Sequence, residues 1–448
     1  MKAVLHRVIV GLLGFPFILG HPSIQGADAG SNPAGQLEAK PDDAYFDPFK
    51  AVKAPPPKGL LLKTGDRLAI CGDSITEQKM YSRIIETYLT VAVPDLNVTV
   101  RQYGWSGETA PGFLARMTND CLRFVPTIAT TCYGMNDHGY RPYEESIGQR
   151  YREASTAIIR AFKQAGARVV LGSAGCVGKR PQWSKDTNAT TEALNLNLCE
   201  LRNIDLEIAQ SEGGAFADVF WPMLKADFAA RQKYDQDYAV AGKDGVHPDW
   251  AGQTIMAYAF LRGLGLDGEI GTFTIDLRAK TATASQGHKV LSFKDGELTV
   301  KSERYPFCAP AGDPAKDNSI RSGMTLVPFN QELNRLMLVV KNPQARGYKV
   351  TWGGESHGYS TEQLTKGVNL AADFANNPFS SAFAKVDLAV AAKQGFETWQ
   401  IKQMFHGELG RLDMERIVDL TEKARSPLAK SIHEAFVPVT HVLHLVAE

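Results

Sequence analysis

"ICGDSITEQKMY", residues 70–81, sets a serine directly after a short apolar run and directly before a stretch with helical spacing. Ser74 is there either as a hydroxyl capping the helix or as a nucleophile at the end of a strand. Gly-Asp-Ser arises by chance in roughly one chain in ten of this length at ordinary residue frequencies. Alone, the tripeptide therefore favours the cap, and the surrounding pattern has to decide.

That pattern is an alternation. "DRLAIC" (66–71), "NVTVRQY" (97–103), "PTIATTC" (126–132), "ARVVLG" (167–172) and "GAFADVF" (214–220) read as five strands rich in Val, Ile and Thr. Amphipathic stretches at 81–93, 111–124, 145–166 and 190–213 separate them. In the third of these, Tyr151, Ala154, Ile158, Ile159 and Phe162 recur at helical spacing before Gly166, placed as a C-cap. A fifth helix is expected to begin with Pro248 in its first turn and to end at Gly263. Strand and helix in alternation, with right-handed crossovers, build a parallel sheet covered on both faces. Ligands in such sheets sit at the carboxyl ends of the strands. Ser74 follows the first expected strand and Asn136 the third, so both should open onto one edge.

Length and composition set the frame. A chain of 448 residues implies about two or three domains, and 44% apolar with 22% charged residues is an ordinary globular mixture. Lys plus Arg balance Asp plus Glu at 49 each, which argues against nucleic acid or an anionic membrane as main partner. Residues 1–29 combine a basic start, an apolar run at 8–20 and the small-residue site "ADA", the order of a secretory signal. The run is shorter than the about 20 residues a bilayer span takes, so after cleavage an exported chain without a membrane span is expected. Residues 30–65 read as a Pro-rich linker or N-terminal arm, and 66–270 as the domain that holds Ser74. Residues 271–448 read as an appended region, an antiparallel β unit followed from about residue 361 by helices, whose function the sequence leaves open. Cys71 and Cys132 are expected as buried thiols. Cys121, Cys176, Cys199 and Cys308 stay disulfide candidates with no pairing assigned. No CxxC or His/Cys cluster suggests structural zinc.

A serine hydroxyl becomes nucleophilic when a neighbouring base takes its proton and a third group fixes the tautomer of that base. "KDGVHPDW", residues 243–250, offers both, with Asp244 three residues ahead of His247 and Gly245 allowing a tight turn between them. Donors for the charge developing on an attacked carbonyl are available at two further strand ends. "YGWSGETA" (103–110) puts Gly107 in a turn after the second strand, and "CYGMNDHGY" (132–140) puts Asn136 after the third.

Gly-Asp-Ser-Ile-Thr, Trp-Ser-Gly-Glu-Thr, Gly-Met-Asn-Asp and Asp-Gly-Val-His-Pro occur in that order, each at a strand end or helix start. Together these blocks resemble those of the GDSL-type SGNH hydrolases, over about residues 66–265. The resemblance implies a three-layer α/β/α, flavodoxin-like fold with a five-stranded parallel sheet. It implies Ser74 as nucleophile and first oxyanion donor, Gly107 and Asn136 as the other two, and Asp244 orienting the base His247. It also implies ester hydrolysis through an acyl-serine intermediate, with no metal or cofactor. One position departs from the pattern: Gln102 stands where the family often carries an Asn, which leaves a supporting hydrogen bond open.

A rival serine lies in "GGESHGYS" (353–360), where Gly354 to Gly358 match a G-x-S-x-G elbow around Ser356. No helix pattern follows it, and a hairpin turn is the expected structure. For substrate, export and composition point to an acylated extracellular polysaccharide, with Trp105, His138 and Tyr140 as a rim for sugar, hence a carbohydrate O-acetylesterase. Two alternatives stand beside it: a lipid or aryl esterase of the same fold, acting on an acylated small molecule, and a non-catalytic polysaccharide-binding protein.

Overall fold

The five apolar runs form β1 (Arg67–Gly72), β2 (Thr99–Gln102), β3 (Ile128–Cys132), β4 (Arg168–Gly172) and β5 (Ala215–Ala217), all parallel, in the order β2-β1-β3-β4-β5. The molecule is described by a computed structural model over residues 35–448; the expected signal peptide, residues 1–29, and the first residues of the arm lie outside the described residues. Helices α1 (Ser74–Glu77), α2 (Tyr81–Ala92), α3 (Ala110–Asp120), α4 (Glu145–Gln164), α5 (Thr191–Glu212), α6 (Phe220–Lys233) and α7 (Trp250–Gly263) fill the connections. Because side chains alternate along a strand, Leu68 and Ile70 of β1 join the core with α2 and α7, whereas Ala69 and Cys71 join the one with α3 and α4. This is the three-layer α/β/α arrangement expected.

Two boundaries differ from expectation. β5 is three residues long because Asp218 turns the chain, its carboxylate accepting from Trp221 N at 3.2 Å, and α6 starts where a strand residue was expected. Helix α7 begins at Trp250, capped by Asp249, so Pro248 lies just outside the helix rather than in its first turn. The residues leading into β1 are a docked arm. Phe46 and Phe49 are fully buried, and Phe46 meets the rings of Trp221 and Phe228 edge-on at 5.8 and 5.0 Å. All six cysteines are buried unpaired thiols, including the four considered for disulfides. Two of them are held by main-chain oxygens, Cys132 by Ser173 O at 3.4 Å and Cys308 by Pro306 O at 3.3 Å. Among the described residues no helix is long and apolar enough to cross a membrane.

Beyond α7, strands β6 (Glu269–Asp276), β7 (Thr281–Ala284), β8 (His288–Lys294), β9 (Glu297–Ser302), β10 (Arg335–Lys341), β11 (Gly347–Trp352), β12 (Glu355–Ser360), β13 (Val368–Asn369) and β14 (Val439–Ala447) make two sheets, ordered β13-β10-β6-β7 and β12-β11-β14-β9-β8. The pairing is antiparallel except between β6 and β10, which run parallel and need the long crossover through residues 277–334. Residues 439–447, expected as helix, form a strand: His441, Leu443 and Leu445 are buried at period two and fill a slot between β9 and β11.

Helices α8 (Ser380–Trp399) and α9 (Met414–Ala435) close the outer edge of the first sheet. Strand β2 is an edge strand, and its outward groups need partners. Lys393 Nζ donates to Val100 O at 2.5 Å and Arg425 Nη2 to the same oxygen at 3.1 Å, while Gln102 N donates to Glu397 Oε2 at 3.3 Å. Lys393 is itself paired to Glu86 at 2.8 Å and to Glu397 at 3.1 Å, which compensates for taking these charges out of water. The appended region is thus built into the edge of the sheet that carries Ser74.

Candidate active site

β1 ends at Gly72, level with Cys132 of β3, so the segments after both strands emerge side by side at the sheet's carboxyl edge. Asp73 caps α1, accepting from Ile75 N at 2.9 Å, and Ser74 is the first helical residue. The cap is therefore Asp73, and the Ser74 hydroxyl is free for another use. It makes a 2.8 Å hydrogen bond with His247 Nε2.

The turn before α7 positions that imidazole. Asp244 Oδ1 accepts from the amides of Val246 and His247, each at 2.9 Å, and Oδ2 lies 2.7 Å from His247 Nδ1. Nδ1 facing a carboxylate keeps its proton, which leaves Nε2 as the acceptor for the Ser74 hydroxyl. Partial burial works to raise the Asp244 carboxyl, but the two amides and the imidazole outweigh it and hold the group below the usual carboxylate range. It stays an anion beside the base.

Donor groups converge on the same edge. Glu108 N donates to Trp105 O at 3.1 Å, closing a four-residue turn with Gly107 at its third position and φ +75, a conformation in which a side chain is strained. Gly104, just before the turn, lets it pack against α1: a Cβ there would lie 2.2 Å from Glu77 N. The amide N–H groups of Ser74 and Gly107 have no hydrogen-bond partner among the described residues. Asn136 Nδ2 donates to Glu108 O at 3.0 Å and stands 3.5 Å from Asp73 Oδ2, while its Oδ1 accepts from Tyr140 Oη at 3.2 Å. The hydrogen bond left open at Gln102 exists: its Oε1 accepts from Gly104 N at 3.0 Å, and its amide nitrogen donates to Thr398 Oγ1 on α8.

Residues 70–255 match the model of the GDSL-like lipase/acylhydrolase family. They belong to that family. An acetylxylan esterase from Geobacillus stearothermophilus is 23% identical over 225 residues, covering 46% of this chain and 96% of that protein. The solved structure of a gut microbial diltiazem-metabolizing enzyme, 22% identical, superposes with a TM-score of 0.69 over 88% of this chain and all of the other. That likeness shows that the fold, with its C-terminal sheets and helices, is shared well beyond the family segment. The chain carries a GDSL-like acylhydrolase domain and is a serine esterase.

The expected rim of this acylhydrolase is only partly as read from sequence. Tyr140 is half-buried at the edge of the site. His138 is fully buried behind it, its ring 4.6 Å from that of Tyr140 and its Nδ1 2.5 Å from Met135 O, so it is a packing residue and cannot touch a polymer. Burial pushes its pKa down to about 4 against the pull of the Met135 and Gly134 main chain, which keeps it neutral. Trp105 turns toward the appended region, 4.9 Å from the His406 ring and 5.2 Å from Lys402 Nζ. The aromatic residue the sequence did not single out is Trp183, 44% exposed, 5.7 Å from the Tyr140 ring and 5.9 Å from that of His247. Its signal was position alone: the loop after β4 emerges at the carboxyl edge. Ser184 ties this loop down, its Oγ donating to Tyr140 O at 3.0 Å.

Beneath the acylhydrolase site lies a buried acidic layer. Full burial pushes Asp73 up to about 7 against the pull of the Ile75 amide, with Asp137 and Glu108 adding to the rise. Burial likewise takes Asp137 up to about 6, against the amides of Ala110 and Gly134. No group of three His, Cys, Asp or Glu side chains among the described residues is placed to hold a metal ion. Ser356 sits inside β12, opposite Thr351 across a hairpin, its Oγ 2.7 Å from Thr351 Oγ1; the strand runs on to Ser360 before the short helix Thr361–Lys366 begins, so the serine is not at a strand-to-helix elbow.

Proposed function

We propose that this esterase is a carbohydrate O-acetylesterase, exported and acting on an acetylated polysaccharide, with Ser74 as nucleophile, His247 as base and Asp244 as the group that orients it. The observation that carries the reading is the unbroken chain Ser74 Oγ–His247 Nε2 and His247 Nδ1–Asp244 Oδ2, at 2.8 and 2.7 Å, beside two unpartnered amide donors. Ser74 Oγ attacks the acetyl carbonyl as its proton passes to His247 Nε2. The tetrahedral oxyanion takes hydrogen bonds from the N–H groups of Ser74 and Gly107 and from Asn136 Nδ2. Collapse expels the sugar oxygen, which takes the proton from His247, and a water molecule, deprotonated by the same imidazole, releases acetate.

Two features support sugar as the leaving group. The chain is 23% identical to an acetylxylan esterase over 225 residues, 96% of that protein. Tyr140 and the exposed Trp183 form an aromatic wall beside His247, apolar faces with polar tips that suit a sugar ring. Acetate release from acetylated xylan, pectin and peptidoglycan, measured beside p-nitrophenyl acetate, butyrate and octanoate, tests the reading. Release from one polymer that vanishes in Ser74→Ala is the expected result. Octanoate hydrolysis without polymer deacetylation would instead make the protein a lipid or aryl esterase.

A further inference from the structure

The turn that carries Gly107 does not hold itself in place. Ser106 donates its amide and its hydroxyl to Glu77 Oε2, at 2.5 and 2.7 Å. Glu77 lies three residues after Ser74, on the same short helix. One carboxylate therefore joins the segment bearing the Ser74 N–H to the segment bearing the Gly107 N–H. Its charge is met by Lys402, whose Nζ donates to Oε1 at 2.8 Å and to Oε2 at 3.0 Å and lies 5.2 Å from the Trp105 ring. Lys79 does not do this work, since its Nζ goes to the Glu77 main-chain oxygen at 2.6 Å.

Lys402 comes from the appended region, in a π-helical turn, Gln400–Phe405, that extends α8. Such turns give up regular helical bonding and recur at functional sites. Neighbouring residues on either side of this π-helical turn hold the end of β2 and the ring of Trp105. Thr398 Oγ1 and Gln394 O take the Gln102 side-chain amide. His406 packs edge-on against Trp105 at 4.9 Å and bonds Asp120 at 2.7 Å. Asp120 pairs with Arg116, which binds both Glu108 oxygens at 2.6 Å and Tyr103 O at 2.7 Å.

We propose that Lys402 is a positioning residue for ester hydrolysis: through Glu77 it fixes the spacing between the two main-chain oxyanion donors, so that the appended region completes the active site. The inference rests on the assignment of Ser74 and Gly107 proposed above. A donor set held by a charged pair needs no reorganisation when the oxyanion forms, and loosening it weakens binding of the transition state more than binding of substrate.

The test uses the full chain with p-nitrophenyl acetate, comparing Lys402→Met, Lys402→Arg, Glu77→Gln and the Lys402→Met/Glu77→Gln double variant. Lys402→Met should lower kcat about tenfold to a hundredfold with KM within about twofold, part of the cost of losing one oxyanion donor. Lys402→Arg should recover most of it. The double variant should be little worse than the worse single one, because both act on one contact. If Lys402→Met does not fold, Glu77→Gln, which keeps the shape of the side chain, carries the test with the same kcat-specific loss expected. A folded variant with kcat within about twofold of the parent, a loss mainly in KM, or no recovery with Arg overturns the proposal. Ser74→Ala separates the two levels: full activity in that variant sinks the assignment of the nucleophile, whereas a dead Ser74→Ala beside an unaffected Lys402→Met sinks only the role of Lys402.

Discussion

Ser74 Oγ and His247 Nε2 stand 2.8 Å apart across a sequence separation of 173 residues, one at the end of the first strand and the other just before the last helix of the domain. Only the folded sheet makes this pair, and the Asp244 carboxylate behind it fixes which ring nitrogen receives the proton. Ser74→Ala and His247→Ala should each lower kcat by about 10⁴ while leaving the thermal midpoint close to that of the parent. Ser356→Ala is the control, because that hydroxyl bonds Thr351 in a hairpin. Comparable loss from Ser356→Ala in a folded protein would overturn the assignment.

Asn136 is held at both ends of its amide, by Glu108 O at 3.0 Å and by the Tyr140 hydroxyl at 3.2 Å. Asn136→Ala removes the side-chain amide proposed above as an oxyanion donor and should cost about 10²–10³ in kcat, with KM little changed. Tyr140→Phe removes only the hydrogen bond that orients the amide, worth about 1 kcal/mol, and should cost roughly fivefold. Steady-state kinetics on p-nitrophenyl acetate reads both, and a Tyr140→Phe loss as large as that of Asn136→Ala would mean that the hydroxyl itself reaches the substrate.

What the sequence disclosed follows from range. Strand and helix in alternation, and the four blocks around Ser74, Gly107, Asn136 and Asp244–His247, are local patterns, and each falls on the strand end or turn expected of it. Trp183 escaped because its loop has no periodicity and its value comes from lying 5.9 Å from a ring 64 positions further on. The pairing of Lys402 with Glu77 spans 325 positions, and nothing in "WQIKQMF" distinguishes that lysine from any solvated helix residue. His138 was misplaced for a related reason: its block faces the site, but the residue after Asp137 turns inward. The last strand, β14, looked helical because it follows a long helix, and only its partners β9 and β11 make its period-two pattern decisive.

Trp183 gives a prediction about substrate size. Its ring lies 5.9 Å from that of His247, and in the proposed function it meets the leaving sugar and not the acyl group. Trp183→Ala should lower kcat/KM on acetylated xylan about fivefold to tenfold, the worth of about 1 kcal/mol of aromatic contact, and change p-nitrophenyl acetate hydrolysis by no more than about twofold. Equal losses on both substrates would point to a disturbed His247 instead of a lost sugar contact.

The second half of the chain carries its own pH response. Trp352 Nε1–H donates to His441 Nδ1 at 3.1 Å, so His441 carries its proton on Nε2 and donates it to Ser302 Oγ at 3.0 Å. Ser302 in turn donates to His288 Nδ1 at 2.8 Å, and His288 Nε2–H ends the chain on Ile270 O at 3.0 Å. Each imidazole must stay neutral for this order to hold. Burial, with His288 adding, takes His441 down to about 3, and burial lowers His288 as well. In the unfolded chain both rings take up a proton near about pH 6.5. Between that pH and the depressed folded values the unfolded state binds more protons, so stability is fully present above about pH 6.5 and drains away as pH falls toward about 3. His441→Gln loses hydrogen bonds at every pH but no longer withholds a proton. Its thermal midpoint should therefore fall clearly below that of the parent at about pH 7.5 and approach it at about pH 4.5. Scanning calorimetry of both proteins at the two pH values decides the matter, and a gap that stays constant would show that the buried imidazole does not set the acid sensitivity of the fold.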